Sequence, residues 1–316
     1  MAVDFSIVIP HRGNSLGLWA TIHSCEAELE GSNHKYNYVL MTNGEKLPLE
    51  AVQTISFLDK SGKLKCHEHS NDPISPPVAR QRGVERSDGR LLFFLDNHCV
   101  VAKRYFDRGV AQMATGKMDM LHSATRWYEG DATHYHYLLS LDYNFWGRST
   151  KLAPYDAILP YKIAMGGHGG FVTSRALWDE VGGYGPESLL QGYGGEEPLF
   201  DLKLWRYGKT VWIDPRLAHY HYTGLRGYTR HYSDEYYINM LVAANVIGGE
   251  DWLYKVFNSL CTRSHIRPLQ AARKTLYELL EDAVTRSSEY AKEVDSKSIR
   301  SLNECLTLFR TDSVEH

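Results

Sequence analysis

The 316-residue chain carries 35 Lys+Arg against 38 Asp+Glu, a formal net charge of −3, and is 43% hydrophobic and 23% charged. That composition suits a globular protein of one large domain with an appendage, and gives no global electrostatic pull towards nucleic acid or an anionic membrane. No apolar run reaches the roughly 18 residues of a membrane span, and the opening MAVDFSIVIPHRGN lacks the regions of a signal peptide, so a soluble, cytoplasmic protein is expected.

Taken in chain order, residues 4–9 are a short β-branched run stopped by Pro10, the pattern of a buried first strand. Leu18, Trp19, Ile22, Cys25 and Leu29 then recur at helical spacing. Tyr38–Met41 is a second strand ended by the turn pair Asn43-Gly44. Pro76-Pro77 opens a helix to about Arg86, Asp88-Gly89 closes it, and Leu91–Leu95 is a wholly apolar third strand. Strand–helix alternation of this kind predicts an α/β fold with a mostly parallel sheet covered on both faces.

Residues 127–165 are rich in Tyr and lack periodicity, which predicts an irregular excursion over the active face. A helix is expected over Ser174–Val181, capped by Thr173 or Ser174 and ended by Gly182-Gly183. Another is expected over Glu196–Tyr207, and a strand over Thr210–Ile213. From about Asp234 the pattern is helical, with Leu269, Leu276, Leu279, Leu280 and Val284 on one face, then Ile299, Leu302, Cys305, Leu306 and Phe309. The boundaries expected are a domain over 1–232 and a C-terminal helical region over 233–316 packed on it. The five cysteines are widely spaced with no CxxC pair, which reads as a reduced chain.

The sharpest chemical signal is Leu91-Leu-Phe-Phe-Leu-Asp96-Asn97-His98. An acid directly after a buried apolar strand stands at the strand's carboxyl end, where open α/β sheets bind ligands. Asp96 and His98 are two apart and can share one divalent ion. Glycines follow in Met165-Gly-Gly-His-Gly-Gly-Phe171, where Gly167 lets backbone approach a ligand, and in Gly192-Tyr193-Gly194-Gly195-Glu196-Glu197. Two carboxylates at a helix N-terminus are favoured by its dipole and can take a proton from a hydroxyl.

The order of these segments resembles the GT-A glycosyltransferases, especially family 2 and the polypeptide N-acetylgalactosaminyltransferases. The match runs through Phe94-Leu95-Asp96-Asn97-His98-Cys99, Gly194-Gly195-Glu196 and Pro215-Arg216-Leu217-Ala218-His219, over roughly residues 4–232. The resemblance implies a GT-A (Rossmann-like) fold and a glycosyltransferase using a nucleotide diphosphate sugar, with UDP-sugar the expected donor. It implies Asp96, His98 and His219 as ligands of Mn2+ (or Mg2+), with His221 a rival on the same strand face. The donor would lie across the first strands, against Pro10, Arg12, Asn43, Arg80, Asn97 and Gly167. A mobile loop with Arg226, Tyr228 and Arg230 would close over it. Arg80 sits in Ala79-Arg80-Gln81, which departs from the family's Ala-Arg-Asn at Gln81, and Asp88 is a candidate brace for Arg80.

Tyr193, Gly194 and Gly195 are expected on the acceptor side, with Glu196 binding hydroxyls and Glu197 as the general base of an inverting transfer. Tyr135, Tyr137, Tyr143, Trp146, Tyr155 and Tyr161 offer an aromatic acceptor wall for a saccharide, a protein loop or a base of viral DNA. A nucleotidyltransferase or sugar-nucleotide hydrolase on the same fold, and an inactive nucleotide-sugar-binding module, are the alternatives.

Overall fold

The computed structural model describes residues 3–13, 15–43, 47–70, 75–127, 134–139, 147–151, 159–222, 234–262 and 274–310. The elements are β1 (Phe5–Arg12), α1 (Ser15–Leu29), β2 (Tyr36–Asn43), α2 (Leu49–Lys60), β3 (Leu64–Ser70), α3 (Pro76–Arg86), β4 (Leu91–Leu95), β5 (Cys99–Val101), α4 (Tyr105–Met113) and β6 (Met120–Trp127). There follow β7 (His134–Leu139), β8 (Gly147–Lys151), β9 (Tyr161–Lys162), β10 (Gly170–Ser174), α5 (Arg175–Val181), α6 (Glu196–Arg206), β11 (Val211–His221), α7 (Asp234–Thr262), α8 (Leu276–Lys297) and α9 (Leu302–Arg310).

One sheet runs through the molecule in the order β3-β2-β1-β4-β10-β6-β11-β5, with β7 and β8 branching from β6 and β9 lying on β11. The first four strands are parallel, as strand–helix alternation requires. Beyond β4 the sheet turns antiparallel at β10, so the whole is mixed, with β6 and β11 again parallel to each other. Strand β1 sits between β2 and β4 and is buried on both faces. Phe5, Ile7 and Ile9 enter one core with Leu18 and Ile22 of α1, while Val8 enters the other with Ala79 and Val84 of α3.

Local chemistry accounts for the element ends. Ser75 caps α3 by accepting from the Val78 N–H at 3.2 Å, and two prolines fill the first helical turn. For α5 the cap is Ser174, which accepts from the Leu177 N–H at 3.0 Å; Thr173 instead donates to the Asp119 carbonyl. The strand expected at Thr210–Ile213 continues to His221, with a register shift between Asp214 and Ala218. Pro215, which has no N–H to give a ladder, falls inside that shift.

Helices α7, α8 and α9 share one continuous core with the sheet's second face, α3, α5 and α6. Helix α7 breaks at Gly249 (φ 67, ψ −164). Leu279 is buried in α8, whereas Val284 and Ile299 are exposed; Leu269 lies outside the described residues. No cysteine is paired with another, and among the described residues no helix is long and apolar enough to cross a membrane.

Lys203 of α6 fastens this junction. It is fully buried, donates to the Gly183 carbonyl, and reaches the Tyr290 hydroxyl of α8 at 2.8 Å. Burial, with Lys297 adding to it against Glu293, pushes its ammonium down from 10.5 to about 7. The unfolded chain therefore binds more protons than the folded one between those values, and stability rises with pH across that window. Lys203→Met removes this component. By calorimetry the wild-type thermal midpoint is expected to rise relative to the variant's between about pH 7 and pH 9.5; parallel profiles would contradict the assignment.

Candidate active site

The apolar strand β4 ends where its residues can no longer be buried, and the chain turns. The Asp96 N–H donates to the Gly169 carbonyl at 3.0 Å and the Cys99 N–H to the Asp96 carbonyl at 3.1 Å. This tight turn presents Asp96 and His98 together. Strand β11 lies antiparallel to β5 with His221 opposite Cys99, which brings a second imidazole to the same point.

Ligand atoms of Asp96, His98 and His221 all lie within 4.8 Å of one another. The two Nε2 atoms are 3.0 Å apart, and His221 Nε2 is 3.6 Å from Asp96 Oδ2. Both imidazoles are nearly buried, whereas the Asp96 side chain keeps 23% exposure, so the cluster opens towards solvent on its carboxylate side. Burial opposes ionisation of Asp96, but His221, Arg80 and His98 together hold its carboxyl well below the usual carboxylate range.

Asn97, between the two loop residues, is buried and both ends of its amide are engaged. Its Nδ2 lies 2.7 Å from His11 Nδ1 and its Oδ1 lies 3.1 Å from His98 Nδ1. With the His98 Nδ1–H donating to that oxygen, the neutral ring turns its Nε2 lone pair towards His221. Two facing imidazole nitrogens beside an ionised carboxylate form a donor set that fits a divalent cation.

His219, expected as the third ligand, is not in this cluster. It shares a strand face with His221 but lies one residue pair deeper, fully buried, with Nδ1 2.7 Å from Ser123 Oγ and Nε2 3.4 Å from Thr125 Oγ1. Gly170 packs on this ring so closely that a Cβ there would come within 2.7 Å of His219 Nδ1. Burial, reinforced by His221, pushes the His219 imidazole down to about 3, so the ring is held neutral.

Arg80 connects the loop to α6. Its Nη2 donates to Asp96 Oδ1 at 2.8 Å and to the His168 carbonyl at 3.0 Å, and its Nη1 is 3.7 Å from Glu196 Oε1. Glu196 is buried in this pair, whereas Glu197 is half-buried. Helix α6 starts from Gly195 in a left-handed conformation (φ 84), where a Cβ would meet the Asn239 carbonyl of α7 at 2.7 Å. The Tyr193 ring stacks on Tyr236 at 5.8 Å, and Asn239 donates to the Gln191 carbonyl at 2.6 Å. The segment Tyr193-Gly194-Gly195 is thus held by α7.

On the other side, Pro10 and the exposed Arg12 end β1, and Arg12 pairs in register with Asn43 of β2. Next to them His11, Thr42 and His69 form one row across three parallel strands. Thr42 Oγ1 lies 2.9 Å from His67 Nε2 and 3.1 Å from His69 Nδ1, a histidine pair that sequence reasoning missed. Gly167 lies beside the carboxyl end of β4, its carbonyl 3.3 Å from His122 Nδ1. Asp88 does not brace Arg80; it accepts from Asn37 at 2.6 Å and pairs with Lys65 at 2.9 Å. Arg226, Tyr228, Arg230, Tyr143, Trp146 and Tyr155 lie outside the described residues, as do the side chains of Tyr135 and Tyr137; Tyr161 is half-buried on β9.

The fold is that of the GT-A glycosyltransferases. The chain belongs to glycosyl transferase family 2, whose model matches residues 6–182. Its structure is similar to that of GalNAc-T7 with UDP, GalNAc and Mn2+, at TM-score 0.65 and 17% identity, over 92% of this chain and 56% of that one. This chain therefore spans little more than half of that protein's length. It is also similar to S. aureus TarS 1-349 (TM-score 0.54, 13% identity, 99% of this chain and 93% of that one). The TarS 1-349 complex with UDP-GlcNAc gives TM-score 0.55 and 12% identity over the same shares. At such identities the likeness is one of fold. No curated protein matches the sequence.

The geometry separates the two histidines of β11 experimentally. His221→Ala is expected to weaken Mn2+ binding, measured by calorimetry, by about a hundredfold or more, since a ligand is lost outright. His219→Ala should leave Mn2+ affinity within about threefold while lowering the thermal midpoint, because it opens a cavity beneath Gly170. The reverse ranking would restore His219 as the ligand.

Proposed function

We propose that the protein moves a sugar from a nucleotide diphosphate sugar, a UDP-sugar, to an acceptor hydroxyl with inversion, assisted by a divalent cation. The observation that carries this is the Asp96–His98–His221 cluster at the carboxyl end of β4, tied through Arg80 to the paired glutamates that open α6. A cation held by those three residues, Mn2+ or Mg2+, would act as a Lewis acid for the diphosphate that departs. The structures of GalNAc-T7 with UDP, GalNAc and Mn2+ and of TarS with UDP-GlcNAc lend the donor class support.

On this reading the donor lies over the ends of β1 and β2, beside Pro10, Arg12 and Asn43, with Gly167 and its neighbours as the floor. Asn97 serves the donor indirectly, by orienting His98. The acceptor approaches from Tyr193, Gly194 and Gly195, and Glu196, buried against Arg80, holds hydroxyls. Glu197, the more accessible carboxylate, takes the proton of the acceptor hydroxyl. The freed oxygen forms a bond to the anomeric carbon from the face opposite the diphosphate. The bond from that carbon to the phosphate oxygen breaks, and its electron pair leaves with the diphosphate.

Release of nucleotide from a panel of UDP- and GDP-sugars, with Mn2+, with Mg2+ and with chelator, tests the reading. Cation-dependent release of UDP from one donor is expected, lost in Asp96→Ala; release that ignores chelator would contradict the cation's part. With the acceptor in hand, Glu197→Gln is expected to slow transfer by about a hundredfold or more while donor affinity holds. An unchanged rate, or a product of retained anomeric configuration by NMR, would remove Glu197 as base.

A further inference from the structure

Behind the active site lies a second carboxylate with two imidazoles. His122 of β6, His168 of the glycine loop and Asp201 of α6 are buried, and their ligand atoms lie within 4.8 Å of one another. By residue type this cluster is the twin of Asp96–His98–His221. Its hydrogen bonds are different. Asp201 Oδ2 faces His122 Nε2 at 3.0 Å and accepts the Gly166 N–H at 2.8 Å, and Oδ1 faces His168 Nε2 at 3.1 Å. His168 Nδ1 lies 2.9 Å from the Tyr184 hydroxyl, whose proton it accepts, so its own proton sits on Nε2 and points at Asp201. His122 Nδ1 faces the Gly167 carbonyl. Three groups thus converge on the Asp201 carboxylate, the Gly166 N–H and the two Nε2 atoms, and its side chain is wholly enclosed.

What these bonds do is hold two pieces of backbone. Gly166 and His168 belong to the loop whose Gly169 carbonyl accepts the Asp96 N–H and whose His168 carbonyl accepts from Arg80. Asp201 itself is one and a half turns along the helix that opens with Glu196 and Glu197. Resting on the reading of these two sides given above, we propose that Asp201 is a positioning residue: through Gly166 and His168 it locks the loop behind Asp96 to the helix bearing Glu196 and Glu197, and so sets the gap between the donor and acceptor sides. A slip of about 1 Å in that gap is enough to cost roughly a hundredfold in rate.

The full chain with Co2+ as the cation probe provides the test. Asp201→Asn preserves size but leaves one oxygen for the three groups that converge there and turns an NH2 against the His168 Nε2–H or the Gly166 N–H. Its turnover of the donor found in the panel is expected to fall about tenfold or more, with donor KM within about threefold and one Co2+ per chain, as in wild type. His168→Gln, which keeps an N–H for Asp201, should turn over within about threefold of wild type, whereas His168→Leu should resemble Asp201→Asn. Turnover of Asp201→Asn within about twofold of wild type, scaled to folded protein, would overturn the proposal. So would two Co2+ in wild type falling to one in Asp201→Asn, which would make the cluster a metal site. A wild type that binds no Co2+ strikes the active-site reading instead. Amide exchange at 166–170 and 195–197 then decides: both segments should exchange about tenfold faster in Asp201→Asn, and unchanged rates overturn the brace.

Discussion

The buried guanidinium of Arg80 is the contact on which the rest of the site depends. It lies behind the end of β4, bonded to Asp96 and the His168 carbonyl and paired with Glu196. Those carboxylates come from segments a hundred residues apart, and without a cation between them their burial would be strongly unfavourable. Helix α3 supplies that cation from the sheet's second face, its first turn fixed by Ser75 and two prolines. The glycine loop, the β4 turn and the start of α6 are therefore positioned by a single side chain, with Asp201 fastening the same loop to the same helix from below.

Two clusters of the same residue types stand on either side of this arginine, and they differ in the partners of their imidazoles and in exposure. At His98 the Asn97 amide takes up Nδ1 and leaves Nε2 towards His221. At His168 the Tyr184 hydroxyl takes up Nδ1 and leaves an N–H towards a carboxylate that already has other donors. Burial follows the same division: Asp96 keeps part of its surface, whereas Asp201 has none. A cation site needs an entry path as well as donor atoms, and of these two clusters the one at Asp96 is open.

Much of this was legible in the sequence where one local rule acts alone. The apolar run Leu91–Leu95 followed by an acid placed Asp96 at a strand end, and Ser, Pro and Gly marked α3 and α5. Helix α2 and strand β3 were missed for physical reasons. Leu49, Val52 and Phe57 of α2 point outwards, which blurs its periodicity, and β3 is an edge strand of sequence LKCHEHS with little apolar content. The sequence favoured His219 over its rival His221 because the two share a strand face and spacing alone does not separate them. Which one reaches Asp96 depends on the depth set by Gly170 and the register shift at Pro215. His122, His168 and Asp201 each look ordinary in sequence; only the fold brings them together from a strand, a loop and a helix.

Diffraction from crystals grown with Mn2+ and UDP, collected at the manganese absorption edge, addresses the central claim most directly. The account predicts one anomalous peak per chain, bonded to Asp96, His98 and His221, with the diphosphate of UDP on its open side and His219 apart from it. A peak bonded to His219, or one among His122, His168 and Asp201, would contradict it.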